Sequence, residues 1–295
     1  MAVVRSDLVS YWSLGEASGT RVDSEASNDL TVVQGTPGNT AGIQGNACLF
    51  DDANPDEIGI TDAAQSGLDP AGNMTICGWF RGDALPSAAG DEGICGKFVG
   101  TNKAYRVLWL GANDRLYFYI SGDGSASSSI FSDVLSANTT YFFCARYDGT
   151  NIELRVDSTD ATPVAYSSGV YDGTAPFNVG DEGTGRYMSG WVDELSFWKE
   201  AMSDAQVASM FNSGSGLDYA GTVALFGISV TPANADVQLG ATNPTVNVGS
   251  LSVTPSNVDV QLGATNPTVN VGQVAPISDI SVDVFLYDIK TTVKL

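Results

Sequence analysis

Asp193 and Glu194, in the segment GWVDELSFW, are the side chains best suited to acid–base work in a chain that contains no histidine. Paired carboxylates flanking a glycosidic bond can hydrolyse it, one donating a proton while the other attacks or activates water. That chemistry requires both acids to face one groove. Adjacent residues of a regular strand point to opposite faces, so this spacing predicts structural hydrogen bonding, and the chain reads as a non-enzyme. Lack of histidine also removes the usual general base, the Ser-His-Asp triad and the commonest transition-metal ligand. Hard cations with oxygen ligands stay open. Asp51, Asp52, Asn54, Asp56 and Glu57 place five oxygen-bearing side chains within seven residues, either a calcium loop or a solvated, turn-forming acidic stretch. The tryptophans, at 12, 79, 109, 191 and 198, could stack on sugars, but four lie in apolar strand contexts that suit a core.

Strands must position these groups. Short runs rich in Val, Ile, Phe, Tyr and Trp are separated by Gly, Asn, Asp and Ser, which is strand-and-turn punctuation. The clearest runs start at Leu8, Ala47, Met74, Tyr105, Arg115, Thr140 and Asn151. Two hairpins are predicted: GAND from Gly111 joins YRVLWL to RLYFYI, and DGTN from Asp148 joins FFCARY to IELRV. Both turns carry residues that tolerate positive φ. One helix interrupts the pattern, in MSDAQVASMFNSG. There Ser203 and Gln206 form a capping box, Val207, Met210 and Phe211 share a face, and Gly214 is the expected stop. The predicted class is all-β, a two-sheet antiparallel jelly-roll sandwich over residues 1–219.

From 220 to 295 the sequence changes character. Residues 228–249 and 251–272 are one segment written twice, 23 residues apart, with three of 22 paired positions different. A degenerate third copy occupies 276–295, where Val282, Asp283, Val284, Leu286, Thr292 and Val293 recur. Each copy holds two alternating stretches, in the first Val237 with Leu239 and Val246 with Val248, joined by GATNP from Gly240. A period of two predicts half-buried strands. One copy has too few inward aliphatics for a stable hairpin, so burial must come from neighbouring copies or chains. A C-terminal β-repeat stem that makes the protein a homo-oligomer, a trimer being favoured, is the expectation.

Charge narrows the partners. The net charge is −21, and 29 of the 34 acidic residues lie in 1–219 beside 11 basic ones. Such a surface repels nucleic acid and anionic membranes. No apolar run approaches the roughly 20 residues that span a bilayer, so no membrane insertion is expected. The N-terminus, MAVVRSDLVSYWSL, has neither the apolar core nor the cleavage site of a secretion signal.

The order YWSLGEASGTRVDSEASNDLTV, GNACLFDDANPDEIGI, MTICGWFRGD, TYFFCARYDGTNIELRVD and GWVDELSFWKEAMSDAQVASMF resembles the laminin-G-like and pentraxin group of concanavalin A-like lectin folds. Gly190, Val192, Asp193, Glu194, Trp198, Ser203, Gln206 and Val207 fill the group's ending pattern. The resemblance implies a β-sandwich that binds carbohydrate or protein and lacks catalysis. It also implies a Cys77–Cys144 disulfide, worth roughly 4 kcal/mol if unstrained, against the alternative that all four cysteines are buried thiols. It further implies calcium at Asn102, Asp181 and Glu182, although Thr101 and Thr184 stand where the pentraxin pattern has Asp. The repeats resemble, more loosely, segments of bacteriophage fibres and capsid appendages. The expected protein is therefore a non-enzymatic virion fibre or capsid decoration. It would sit on the virion surface among other virion proteins, assembled in the host cytoplasm and released by lysis, and would display a head for host-surface glycan. A secreted bacterial carbohydrate-binding or matrix protein is the alternative.

Overall fold

The computed structural model of the chain describes residues 3–226, 245–248 and 268–271. Two compact units divide it, Met1–Tyr219 and Ala220–Leu295. The first unit opens with strands β1 (Leu8–Trp12), β2 (Thr31–Gln34), β3 (Gly38–Ala41), β4 (Asn46–Phe50), β5 (Glu57–Ile60), β6 (Met74–Gly82), β7 (Glu92–Val99) and β8 (Asn102–Leu110). It continues with β9 (Arg115–Gly124), β10 (Ser128–Val134), β11 (Tyr141–Tyr147), β12 (Asn151–Val156), β13 (Thr159–Asp160), β14 (Val164–Ala165), β15 (Phe177–Val179) and β16 (Gly190–Trp198). Helices α1 (Pro86–Ala89) and α2 (Asp204–Phe211) accompany them.

These strands form the two antiparallel sheets of a sandwich. The nine-stranded sheet runs β13-β12-β11-β6-β16-β4-β3, with β1 also on β16 and β14 on β12, and the seven-stranded sheet runs β10-β9-β8-β7-β15-β5-β2. Alternation along each strand decides what fills the space between them. Ile76, Phe80, Val192 and Leu195 from the first sheet share one core with Tyr105, Trp109, Leu116 and Phe118 from the second. All five tryptophans are buried, so none is a sugar platform. Both expected hairpins form, with Leu110 opposite Arg115 and Tyr147 opposite Ile152.

Helix α2 lies on the outer face of the nine-stranded sheet. Gln206 N donates to Ser203 Oγ at 3.4 Å and Ser203 N donates to Gln206 Oε1 at 3.1 Å, which closes the capping box. The Phe211 ring lies 5.8 Å from both Trp79 and Phe142 of that face. The stop comes earlier than the expected Gly214: Asn212, at φ +48°, already leaves the helix, because asparagine tolerates the left-handed region at a C-terminal cap.

In the second unit, β17 (Thr245–Val248) pairs in parallel with β18 (Thr268–Val271), Thr245 opposite Thr268 and Val248 opposite Val271. The same stretch of two successive copies is thus in register, side by side. The stretch with Val237 and Leu239, and the degenerate copy at 276–295, lie outside the described residues.

Candidate functional site

The acid pair does not obey strand alternation. Val192 and Leu195 both belong to the core, and the pairing of β16 with β6 shifts register between Asp193 and Ser196, with Glu194 at φ +49°. This β-bulge inserts one residue and turns Asp193 and Glu194 to the same outer face, which corrects the expectation of opposite faces. Neither acid opens on a groove: Asp193 is fully buried and Glu194 is 4% exposed. Asp193 Oδ2 accepts the backbone N–H groups of Ile43 at 2.7 Å and Gln44 at 3.2 Å. Glu194 Oε2 meets the Tyr11 hydroxyl, which also lies 2.9 Å from the Leu217 carbonyl. A hydroxyl has one proton. If Tyr11 gives it to Leu217, then Glu194 must be the protonated donor to Tyr11. Burial raises both acids, Asp193 to about 6 and Glu194 to about 8.

The residues that a calcium ion would use are turned to other partners. Asp181 Oδ1 accepts from Gly183 N at 3.0 Å and Thr184 N at 3.1 Å, and Oδ2 accepts from Gly185 N at 2.7 Å. Glu182 Oε1 accepts from Arg106 at 2.6 Å and Arg186 at 3.0 Å. A cation would have to displace two guanidiniums. Asn102 opens β8 as the partner of Val99 in β7, and no hydrogen bond among the described residues links it to the other two. In the acidic loop, Asp51 accepts from Ala53 N and Asn54 Nδ2, both at 2.9 Å. Asp56 is buried and accepts from Thr36 N at 2.6 Å and Asp51 N at 3.1 Å, while Asp52 is exposed. Among the described residues no three Cys, Asp or Glu side chains have the geometry to hold a metal ion, so neither donor set fits calcium as it stands.

Cys77 and Cys144 lie directly opposite one another on β6 and β11. Both are buried thiols here, as are Cys48 and Cys95. Burial raises the Cys77 thiol, and the neighbouring Cys144 adds to the rise.

A different set of side chains is presented on the surface. Because Leu116, Phe118 and Ile120 fill the core, Tyr117 and Tyr119 must face outward from β9. Across the outer face of the seven-stranded sheet runs a continuous file. The Arg106 guanidinium sits 4.1 Å from the Phe98 ring and 4.5 Å from the Tyr119 ring. Tyr119 stacks on Tyr117 at 5.5 Å, Tyr117 meets Phe131 at 5.1 Å, and the Arg115 guanidinium lies 5.3 Å from Phe131. Phe131 is 48% exposed. It also borders a cleft of about 640 Å³ between the edge strand β10 and the segment 156–164, which offers Asp133, Ser158, Thr159 and Asp160 as polar walls.

A two-sheet sandwich with these strand segments has known relatives. The profile of the Laminin_G_3 family, the concanavalin A-like lectin/glucanases superfamily, matches residues 55–208. The chain belongs to this superfamily. No curated protein matches the sequence. Among solved structures, the binding domain of botulinum neurotoxin DC in complex with rat synaptotagmin II is similar, with a TM-score of 0.57 and 11% identity over 72% of this chain and 52% of that one. The binding domain of Paraclostridial mosquitocidal protein 1 gives a TM-score of 0.58 and 11% identity over 71% and 52%. Botulinum neurotoxin type C, whose cell entry depends upon interaction with two ganglioside molecules, gives 0.56 and 11% over 71% and 52%. The chain thus spans about half the length of these structures, and at such identity the likeness is one of fold.

In this lectin-like sandwich the file from Phe98 to Arg115 is what sequence reasoning missed. The segment RLYFYISG carried the signal, since its tyrosines alternate with Leu116, Phe118 and Ile120. Phe131 gave less, because β10 reads SSIFSDV and its serines weaken the strand pattern.

Proposed function

We propose that the lectin-like unit is a non-enzymatic head that binds neutral glycans, displayed on a virion appendage that oligomerises through the C-terminal repeats. The observation that carries the glycan reading is the half-exposed Phe131 ring, joined to Tyr117 and Tyr119 and opening on a cleft with polar walls. A sugar ring has an apolar C–H face and a hydroxyl rim, which suits an aromatic platform beside a few fixed polar groups. The net charge of −21 disfavours acidic sugars. The burial of Asp193 and Glu194 supports a head without hydrolysis. The toxin whose cell entry depends on gangliosides is a precedent for sugar recognition on this fold.

The stem carries the appendage part of the reading. In-register parallel pairing of equivalent strands suits copies that stack on one another, and so small a sheet calls for further strands to cover it. A trimer, joined to other virion proteins and turned toward host-surface glycan, is the arrangement proposed.

The test is a glycan array probed with the full chain, followed by calorimetry on the best ligand. Phe131→Ala and Tyr117→Ala should each cost about 1.5 kcal/mol, roughly ten-fold in Kd. Failure of the intact protein to bind any neutral glycan, or unchanged affinity in both variants, sinks the glycan reading. Solution mass tests the stem separately: the full chain should be oligomeric and residues 1–219 monomeric.

A further inference from the structure

Lys97 is a lysine with no exposed surface, on β7. Its strand partner is Tyr105, a core residue whose ring lies 5.5 Å from Phe197 and whose hydroxyl donates to the Leu68 carbonyl at 2.8 Å. Two carboxylates from the segment between β5 and β6 close on the same ammonium. Asp62 Oδ1 accepts a hydrogen bond from Nζ at 2.8 Å. Asp69 Oδ1 lies 2.5 Å from Nζ as a second ion pair, while its other oxygen accepts from Gln65 Nε2. A structural ion pair needs one carboxylate. Here a fully desolvated amine is held in contact with two, at 2.8 and 2.5 Å.

We propose that Lys97 and Asp69 condense to an intramolecular isopeptide bond, with Asp62 carrying the proton. In the starting state Lys97 is an ammonium and Asp69 a carboxylate. One proton passes from Nζ to Asp69, leaving a neutral amine beside a neutral acid, an exchange favoured where water is excluded and separate charges are costly. The Nζ lone pair attacks Asp69 Cγ, so that the N–C bond forms. Asp62 takes the surplus proton from nitrogen and hands it to the Asp69 hydroxyl, the C–O bond breaks, and one water leaves. Asp62 ends as it began, and nothing is oxidised or reduced. The two acids suit these parts: burial holds the Asp69 carboxyl above its ordinary value, and Asp62 Oδ1 already lies within hydrogen-bond reach of Nζ at 2.8 Å. Fixing the reacting groups in contact supplies the high effective concentration that amide formation in water otherwise lacks. The 28% exposure of the Asp62 side chain gives the departing water an exit. The product staples the segment after β5 to β7, whatever the head binds.

Denaturing mass spectrometry of the intact full chain decides the matter. The wild type should be lighter than the sum of its residues by one water, and digestion should release one branched peptide joining Lys97 to Asp69. Lys97→Arg and Asp69→Ala should return to the full mass, and Asp62→Ala should remain unlinked. A folded wild type at full mass overturns the proposal. So does a water lost without any branched peptide, as a succinimide would give, or a branch through another pair. Complete linkage in Asp62→Ala would overturn the role given to Asp62.

Discussion

Replacing Glu194 by glutamine should flatten the dependence of stability on pH. The amide keeps the shape of the neutral acid and its ability to donate to the Tyr11 hydroxyl. In the wild type the folded value, about 8, stands above the ordinary 4.5 because burial disfavours the ionised form. Between those two values the folded state binds more protons than the unfolded one, so stability is full at the acid end and is lost as pH rises through about 8. At ~1.4 kcal/mol per unit, the shift from 4.5 to about 8 amounts to on the order of 5 kcal/mol between neutral and ionised Glu194. Like-charge repulsion from Asp193 adds to the cost at the basic end. Urea unfolding at a series of pH values between about 4.5 and about 8 should show the wild type weakening by several kcal/mol and Glu194→Gln by much less. Glu57 and Glu92 also have raised values and leave a common slope in both proteins, so the difference between the two curves reads Glu194 together with its coupling to Asp193. Parallel curves would refute the claim that this carboxyl is held neutral.

Three further outcomes follow from the packing. Gly190→Ala should cost about 3 kcal/mol or more, since Gly190 adopts φ +148° and an added Cβ would lie 2.0 Å from the Arg81 carbonyl oxygen; thermal melting checks it. Phe211→Ala should destabilise by about 2 kcal/mol, because the half-buried ring anchors α2 on Trp79 and Phe142. A thiol reagent added to the native protein purified without reductant should find all four cysteines unreactive, as each is buried, and all four reactive in urea; two after unfolding would instead show a disulfide, which peptide mapping would place at Cys77 and Cys144 or elsewhere.

Much of the sandwich was legible because its strands obey a period of two. The runs from Arg115 and Asn151 put every second residue into the core, and the Gly-Asn-Asp turns at 111 and 148 left only one register for each hairpin. Strand β7 was not legible: EGICGKFV is buried on nearly its whole length, and a strand covered on both faces shows no alternation. The bulge at Glu194 was equally silent, for nothing in GWVDELSFW distinguishes a regular strand from one with an extra residue. The candidate calcium ligands were legible only as residue types. Composition reports how many oxygens are present but not what they already accept, and Asp181 has its own loop's N–H groups while Glu182 has Arg106.

The two outer faces of the sandwich have unequal fates, and that inequality is why the glycan reading is placed on the seven-stranded sheet. On the nine-stranded sheet, α2 covers Trp79 and Phe142, and the carboxylates that could have done chemistry are sealed beneath backbone amides and Tyr11. An acid without access to water or substrate cannot cleave a glycosidic bond, however suitable its raised value. On the seven-stranded sheet, Arg106 spends its charge on Glu182 and its flat faces on Phe98 and Tyr119, which fixes the inner end of the file. The outer end, at Tyr117 and Phe131, stays open. A rigid aromatic surface that loses little side-chain entropy when covered binds more tightly than a mobile one. On the proposed glycan reading, the buried ion pair that anchors the file also prepares Phe131 for contact. Arg106→Met, which removes the anchor but not the platform, should weaken glycan binding less than Phe131→Ala does and in proportion to the added mobility of Tyr119. Equal losses would mean that the guanidinium itself touches the ligand.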